Sequence, residues 1–266
     1  MEVNILNEPS QILEALVDFE PDIFLLDLYM PKVNGLELAK IIRLLDKYDS
    51  IPIVFLTSEN SMQTKLQVLE CGCDDVLSKN IAPDILVKQI VSRLKRGKTI
   101  KYLHSRDSLT GLLNHGQIME AANNALQQGE RRGSSTVIAM IDLDHFKLVN
   151  DRYGHAAGDK VIIGLAQLLL QHMRQTDYIG RYGGEEFLIV FPDASIDAIE
   201  RKINRIRDIL STLQFKHGDS NICVTLSGGI ASSDNFDSMA SISAAADKAL
   251  YSAKEKGRNN IQLAKI

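Results

Sequence analysis

The chain has 266 residues and a formal net charge of −4 at pH 7, and 45% of its residues are hydrophobic and 24% charged. This composition is that of a globular protein with one large domain or two ordinary ones, and it excludes a disordered or fibrous chain. The charge balance gives no overall reason to expect nucleic-acid binding, no apolar run reaches the ~18 residues of a membrane span, and the N-terminus lacks a secretory signal. The three cysteines form neither a paired framework nor a CxxC site, which is typical of a cytoplasmic protein.

The front of the chain alternates strand and helix patterns. Residues 23–26 form an apolar run that ends at Asp27, and residues 53–56 form another that ends at Thr57. Runs that are apolar on both faces fit buried parallel strands. Helical patterns follow each run, at Leu36 to Leu45 and at Met62 to Leu69. The pattern predicts an α/β unit with a parallel sheet.

A basic helix is predicted next, beginning at Pro83. From residue 88 to residue 106 every charge is positive, and Gly97 interrupts the run. Such a segment fits either an anionic partner, nucleic acid or membrane, or a solvated helix between domains. Aromatic residues are nearly absent from it, so we favour the linker and expect no nucleic-acid partner and no membrane insertion. The predicted organisation is a front domain over 1–96, a linker helix over 97–106 and a second domain over 107–266.

The second domain reads as α+β. Its predicted strands and helices are, in order, a strand over 136–143, a helix over 158–173, strands over 178–182 and 187–191, a helix over 196–210, a strand over 222–226 and a helix over 241–256. Gly183 and Gly184 between two of the strands indicate a hairpin. Adjacent hairpin strands mixed with crossover helices predict helices packed against an antiparallel sheet.

Four carboxylates follow the strand ends of this domain. Asp142 and Asp144 are two apart on one strand, so both can face one site, and Glu185 and Glu186 follow the paired glycines. If the hairpin neighbours the first strand, three or four carboxylates converge. Such oxygen ligands suit Mg²⁺ shared with substrate phosphates, and two metals would serve an in-line displacement. Taken alone, Asp-Leu-Asp fits a solvated strand end better than a metal site.

Further motifs surround the carboxylates. They are Asp-Ser-Leu-Thr-Gly-Leu-Leu-Asn at 107–114, Asp-Leu-Asp-His-Phe-Lys at 142–147, Asn-Asp at 150–151, Gly-His-Ala-Ala-Gly-Asp at 154–159, Arg-Tyr-Gly-Gly-Glu-Glu-Phe at 181–187 and Ala-Asp-Lys-Ala-Leu-Tyr at 246–251. This set, in this order, closely resembles the GGDEF family of diguanylate cyclases, with a signature loop that here reads GGEEF. The resemblance spans residues 107 to 266 and implies a palm-like nucleotide-cyclase fold. One departure is His115, where the family often has arginine.

The resemblance implies a metal site. Asp142 and Glu185 would ligate Mg²⁺, or Mn²⁺ in its place, with the carbonyl oxygen of Leu143 as a backbone ligand. Glu185 would also draw the proton from the ribose 3′-hydroxyl. Asp144 and Glu186 would be supporting members of the carboxylate cluster.

The resemblance also implies a GTP site. Asn150 and Asp159 would hydrogen-bond the guanine edge, and an aspartate there would reject adenine. The turn after Asp144 would present helix N-terminal N–H groups to phosphate. The remaining residues that the resemblance assigns are Lys147, Lys254 and Arg258, which add positive charge against the triphosphate, and Phe146 and His155 at the substrate. His155 fits an ordinary loop histidine as well as a substrate contact.

The implied reaction condenses two GTP into cyclic di-GMP and two pyrophosphates. Because the product is two-fold symmetric, two subunits that each hold one GTP must face each other, which requires a homodimer. Arg174 and Asp177 resemble the inhibitory RxxD site of the family, where arginine would pair with a phosphate or guanine of the product and aspartate would accept from the guanine amine. The alternative is a catalytically inactive domain that binds cyclic di-GMP as a receptor. A DNA-binding response regulator is disfavoured, because no helix-turn-helix candidate follows the front domain.

The front domain resembles a flavodoxin-like response-regulator receiver over residues 1–96. The resemblance implies that Asp27 is the phosphoacceptor, with Thr57 and Lys79 beside it and a sensor histidine kinase upstream. Two departures are Val76 in place of an aromatic residue and Asn80 in place of proline.

A further departure is that the first strand and acidic pair of the family would lie before Met1. Asp27 therefore fits a plain strand-end aspartate as well as a phosphoacceptor. We expect no phosphorylation by small phosphodonors, and a front domain that pairs its edges in a dimer or is less stable than the second domain.

Overall fold

A computed structural model describes residues 2–265 except 31–32, 50, 60–65, 67, 69–70 and 219. The chain divides into two compact units, Met1–His104 and Ser105–Ile266. The first contains a parallel sheet and the second a largely antiparallel one, so the fold class predicted from the sequence is confirmed. Among the described helices, none has the length and apolar character needed to cross a membrane.

The first unit is built on a three-stranded parallel sheet. Its strands, in spatial order, are β1 (Phe24–Asp27), β2 (Ile53–Thr57) and β3 (Asp75–Ser78). Its helices include α1 (Ile12–Asp18), α2 (Gly35–Arg43) and α3 (Pro83–His104). Asn34 and Glu37 form a capping box that starts α2, and the buried side of α2 packs into the same apolar cluster as Phe55. The helix predicted over 62–69 falls largely on residues outside the described part of the chain.

Helix α3 continues through Gly97, where the basic run was expected to be interrupted. Gly97 is buried, and a Cβ atom there would lie 2.7 Å from the Cγ of Pro52. Glycine at this position therefore permits close packing rather than ending the helix. Two of the basic side chains on α3 pair with acids of the first unit, Arg93 with Asp75 and Lys98 with Asp22.

The second unit is built on a five-stranded sheet in the order β10-β9-β4-β6-β5. The strands are β4 (Val137–Leu143), β5 (Tyr178–Gly183), β6 (Glu186–Phe191), β9 (Leu226–Ser232) and β10 (Ile261–Leu263). The helices are α4 (His115–Arg132), α5 (Phe146–Tyr153), α6 (His155–His172), α7 (Ile196–Thr212) and α8 (Met239–Glu255). β4 is buried along its whole length, because α4 and α8 pack on one face of the sheet and α5, α6 and α7 on the other.

The single strand predicted over residues 222–226 is wrong. The chain instead forms a separate ribbon of β7 (Phe215–His217) and β8 (Ser220–Ile222), and enters the main sheet at Leu226 as β9. The apolar alternation arises because Val224 is buried in the core between the two strands. Within β9, a Cβ atom on Gly229 would lie 2.0 Å from the carbonyl oxygen of Ala246, so glycine lets α8 lie directly on the sheet.

Candidate active site

The candidate site lies where β4 ends beside the turn of the β5–β6 hairpin. β4 and β6 are antiparallel neighbours, and Asp142 is the direct cross-strand partner of Glu186. Directly opposed residues project to the same face of a sheet, so these two carboxylates lie together. The turn at Gly184 and Glu185 joins the strands, and Gly184 takes a φ of +40° there.

Asp142 is buried at the centre of this site. The ammonium of Lys254, from the last turn of α8, lies 2.7 Å from Asp142 Oδ2. Burial raises the pKa of Asp142; the Lys254 ammonium opposes that shift, and the charges of Glu185 and Asp144 add to it. Burial also raises the pKa of Glu186, followed by the charge of Asp142. The site thus concentrates negative charge in a place where water screens it weakly.

Asp144 has a different environment from Asp142. Its carboxylate accepts hydrogen bonds from Thr225 Oγ1 at 2.7 Å, Ser227 Oγ at 2.7 Å and the backbone N–H of Asn259 at 2.9 Å. Over the described residues, no three acidic, histidine or cysteine side chains come together in a geometry that could hold a metal by themselves. Protein donors thus bind both oxygens of Asp144, and the convergence of the carboxylates on a metal stays a prediction.

The hydrogen bond to Asn259 gives Asp144 a structural role. Arg258 and Asn259, which follow α8, have φ values of +64° and +46°. Asn adopts this left-handed conformation readily, but for Arg258 it is unfavourable unless the surroundings hold the residue there. Asp144 therefore connects the end of β4 to the turn after α8, and this turn carries the exposed side chain of Arg258.

The candidate phosphate-binding turn follows directly. β4 ends at Leu143, His145 takes a φ of +57°, and α5 begins at Phe146. Phe146 is buried and anchors the helix start in the core, whereas Lys147 is exposed. A helix N-terminus with an exposed cation beside it is a suitable place for phosphate oxygens.

The candidate guanine residues lie on α5 and the first turns of α6. The Oδ1 atom of Asn150 is buried and has no hydrogen-bond partner within the described residues. A Cβ atom on Gly158 would lie 2.0 Å from that oxygen, so the glycine makes room for it. Asp159 and His155 are exposed on α6. An unsatisfied buried acceptor is costly, and a ligand donor would satisfy it.

Arg181 is a site residue whose role the sequence did not predict. Its Nε donates to the carbonyl oxygen of Gly184 at 2.8 Å, and its Nη1 lies 3.1 Å from Asp107 Oδ2. Asp107 also accepts from the N–H and hydroxyl of Thr110. Although burial opposes it, these hydrogen bonds hold the pKa of Asp107 below its ordinary value. The segment that precedes α4 is thereby tied to the hairpin turn. Both residues lie in motifs that the sequence shows, but the sequence does not show that they pair across 74 positions.

The candidate product site lies at the turn between α6 and β5. Arg174 is exposed, whereas the side chain of Asp177 is only 3% exposed and pairs with Lys202 of α7 at 3.1 Å. The backbone N–H of Arg174 donates to the same carboxylate at 2.9 Å. The structure thus brings a third residue, Lys202, to the two predicted from the sequence.

In the first unit, Asp27, Thr57 and Lys79 meet at the carboxyl edge of the parallel sheet. Lys79 pairs with Asp27, and the backbone N–H of Lys79 donates to the carbonyl oxygen of Thr57 at 2.9 Å. The hydroxyl oxygen of Thr57 accepts from the backbone N–H of Glu59 at 3.0 Å. Three residues that are distant in the sequence are thus neighbours at the end of the sheet.

Known proteins share both units. Residues 104–260 match the family model described as diguanylate cyclase, GGDEF domain, and residues 1–91 match that of the response regulator receiver domain. The chain is 35% identical over 158 residues to diguanylate cyclase DgcP of Pseudomonas aeruginosa. The aligned residues are 59% of this chain and 24% of DgcP. It is 28% identical over 253 residues to response regulator PleD of Caulobacter vibrioides. The aligned residues are 90% of this chain and 56% of PleD. The chain thus spans about half or less of these relatives.

Solved structures give the same result for the second unit. The coiled coil and GGDEF domain of DgcB from Caulobacter crescentus, in complex with c-di-GMP, aligns with a TM-score of 0.63 and 30% identity over 67% of this chain and 95% of that one. The active GGEEF domain of a diguanylate cyclase from Vibrio cholerae aligns with a TM-score of 0.56 and 30% identity over 58% of this chain and 99% of that one. The chain belongs to the GGDEF family of diguanylate cyclase domains, here preceded by a response-regulator receiver domain.

Proposed function

We propose that this protein is an active diguanylate cyclase, which condenses two GTP molecules into cyclic di-GMP. The observation that carries the proposal is the pairing of Glu186 of the GGEEF motif with the buried Asp142 on the neighbouring strand, with the ammonium of Lys254 beside Asp142. Negative charge of this density is costly unless cations neutralise it. The relatives DgcP and the Vibrio cholerae enzyme carry the same activity in their names.

The donor set fits Mg²⁺, with Mn²⁺ as an alternative. Asp142, Glu185 and the carbonyl oxygen of Leu143 offer hard oxygen ligands, and this small number suits an ion that is shared with substrate phosphates. The raised pKa of Asp142 has its cause in burial and neighbouring negative charge, which a divalent cation would relieve. When bound, the metal would neutralise charge on the triphosphate.

The residues of the chain would perform the remaining tasks. Asn150 and Asp159 would bind the guanine edge, and Lys147 and Arg258 would orient the triphosphate. Glu185 would accept the proton of the ribose 3′-hydroxyl as that oxygen attacks the α-phosphorus of the second GTP and pyrophosphate leaves. Positioning and charge stabilisation provide most of the acceleration in such a reaction.

Two copies of the second unit would face each other during the reaction. Each would hold one GTP, because the product contains two equivalent 3′–5′ linkages that are formed by reciprocal attack. The functional form would therefore be a homodimer. Product binding at Arg174 would provide feedback inhibition; the coiled coil and GGDEF domain of DgcB was solved in complex with c-di-GMP.

The test is to incubate the full chain with GTP and Mg²⁺ and to identify the nucleotide product by chromatography and mass spectrometry. We expect cyclic di-GMP from the wild-type chain and none from Glu185→Gln, a change that keeps side-chain size and removes the charge. A folded wild-type chain that binds added cyclic di-GMP but forms none from GTP would show that the receptor alternative is correct.

A further inference from the structure

A cavity beside α5 has no role in the function proposed above. Its volume is about 310 Å³, which is within the range of small-molecule sites. Leu148, Val149 and Tyr153 of α5 form one wall, and residues 222–225, which lead from β8 into β9, form another. Ser211, near the end of α7, also borders the cavity.

The cavity lies on a different side of α5 from the candidate guanine residues. Arg152, which borders the cavity, comes two positions after Asn150 and so lies about 160° around the helix from it, given 3.6 residues per turn. The side-chain oxygen of Asn150 is instead directed towards Gly158 of α6. The cavity is therefore separate from the proposed guanine pocket.

Part of the cavity wall is apolar. Val149, Ile222 and Val224 are buried there, whereas Leu148 is 62% exposed. An exposed leucine next to buried apolar side chains, within a concave surface, provides apolar area that a ligand can remove from water. This wall therefore favours a ligand with an apolar body.

Arg152 gives the cavity a positive charge. Its side chain is exposed, its guanidinium carbon lies 5.2 Å from the centre of the Tyr153 ring, and the ion pairs of the described residues include none with Arg152. Asp144 also borders the cavity, but it is only 4% exposed and protein donors bind both of its oxygens. An anionic group next to Arg152 would therefore gain a partner and meet little open carboxylate surface.

We propose that this cavity binds a small organic carboxylate with an aromatic body. The rings pack against Leu148, Val149 and Val224, and the carboxylate accepts two parallel hydrogen bonds from the guanidinium of Arg152. An aromatic body suits the site because Tyr153 offers a ring beside that guanidinium. The ligand of this cavity is neither the substrate nor the product of the proposed cyclase reaction.

The probe is 2-naphthoate, and the neutral 2-naphthamide is its chemical control. Calorimetry on the full chain, with no nucleotide present, should give a Kd for 2-naphthoate on the order of 0.1 mM. Arg152→Gln should weaken the binding of 2-naphthoate by about tenfold and leave the weaker binding of 2-naphthamide unchanged, because only the acid loses a partner. A wild-type Kd weaker than about 1 mM, or an unchanged affinity for 2-naphthoate in Arg152→Gln, would overturn the inference.

The matched control is Lys147→Gln, which removes an exposed cation of the same helix that does not border the cavity. This change should leave the affinity for 2-naphthoate unaltered. A loss as large as that in Arg152→Gln would mean that the acid binds at the phosphate-binding turn, against the inference.

Cys223 reports where the probe binds, because it is exposed and borders the cavity. Bound 2-naphthoate should slow the alkylation of Cys223 by iodoacetamide, measured by peptide mass spectrometry, and should not slow that of Cys71 in the first unit. Binding that leaves the alkylation of Cys223 unchanged would place the ligand elsewhere and refute the inference. These measurements need neither GTP nor turnover, so they remain decisive even if the chain forms no cyclic di-GMP.

Discussion

The pairing of Asp107 with Arg181 leads to a prediction that joins stability to activity. Asp107 precedes α4, and Arg181 lies on β5 and holds the Gly184 carbonyl oxygen in the hairpin turn. We expect Asp107→Ala to destabilise the second unit and to loosen the turn that presents Glu185. Asp107→Asn should have the same effects at a smaller size, because the amide keeps an acceptor for Thr110 and loses only the charge.

The magnitude follows from the contacts that are lost. The side chains of Asp107 and Arg181 are each 19% exposed, so the pair is neither fully screened nor fully desolvated. Removing an acceptor of charged hydrogen bonds in such a place costs about 2 kcal/mol. For a unit of this size that lowers Tm by roughly 4–8 °C. Asp107→Asn should cost about 1 kcal/mol, or roughly 2–4 °C.

The assay is calorimetric unfolding of the full chain together with the initial rate of cyclic di-GMP formation. A loosened turn should reduce kcat by about tenfold, because small displacements of reacting groups are costly. Since the pKa of Asp107 is held below its ordinary value in the folded state, its contribution is present above about pH 4 and is lost as the pH falls towards the folded-state pKa. The Tm difference between wild type and Asp107→Asn should therefore shrink below about pH 4.

The control is Asp208→Asn, which removes the acid of the exposed pair with Arg207. Exposed pairs contribute little, so its Tm should change by less than about 2 °C. If Asp107→Asn and Asp208→Asn behave alike in both Tm and kcat, the connection from Asp107 to the hairpin turn has no energetic significance.

Three further predictions concern single side chains. Glu185→Gln should abolish cyclisation while the far-ultraviolet circular dichroism spectrum remains that of the wild type; near-normal turnover would exclude Glu185 as a metal ligand and proton acceptor. Asn150→Ala should raise the KM for GTP by about tenfold and weaken the preference for GTP over ATP, because a buried guanine edge loses its partner; full selectivity in the variant would place the guanine pocket elsewhere. Asp27 should gain no phosphoryl group from a small acyl phosphodonor with Mg²⁺, because the two further acids that would hold Mg²⁺ beside a phosphoacceptor are not grouped with Asp27 among the described residues; intact mass spectrometry that finds an adduct absent from Asp27→Asn would refute this.

Much of the fold could be predicted because it depends on local pattern. The apolar run of β4 and the paired glycines of the β5–β6 hairpin identify a buried strand and a turn without knowledge of the rest of the chain. The strand predicted over 222–226 was wrong because alternation reports only which residues are buried. Val224 is buried by a connection between two strands, and no local signal separates that case from a strand.

The sequence predicts which residues belong to the candidate site better than it predicts the contacts that those residues make. The motifs identify Asp142, Glu185 and Asn150 as neighbours in function, but they do not show which acids are already hydrogen-bonded within the protein. Asp144 and Asp142 are alike in the sequence, two apart on one strand. They differ because Ser227 of β9 and Thr225 just before it bring hydroxyl donors to Asp144, and α8 brings an ammonium to Asp142. Such differences arise from tertiary packing, which the spacing of residues along one strand does not encode.

Four acids of the second unit share one physical role, which is to hold a cation or the turn that carries one. Asp107 holds Arg181, Asp142 holds Lys254, Asp144 holds the turn of Arg258, and Asp177 holds Lys202. In each case a buried or half-buried carboxylate places a cation, or the turn that carries one, and a polyphosphate or cyclic dinucleotide needs cations at defined positions. Loss of activity on removal of one of these acids therefore does not by itself identify a metal ligand. A positioning acid binds donors of the protein itself, as Asp144 binds Thr225, Ser227 and Asn259, so its loss should lower both stability and activity. Loss of a metal ligand should lower activity while the fold is retained.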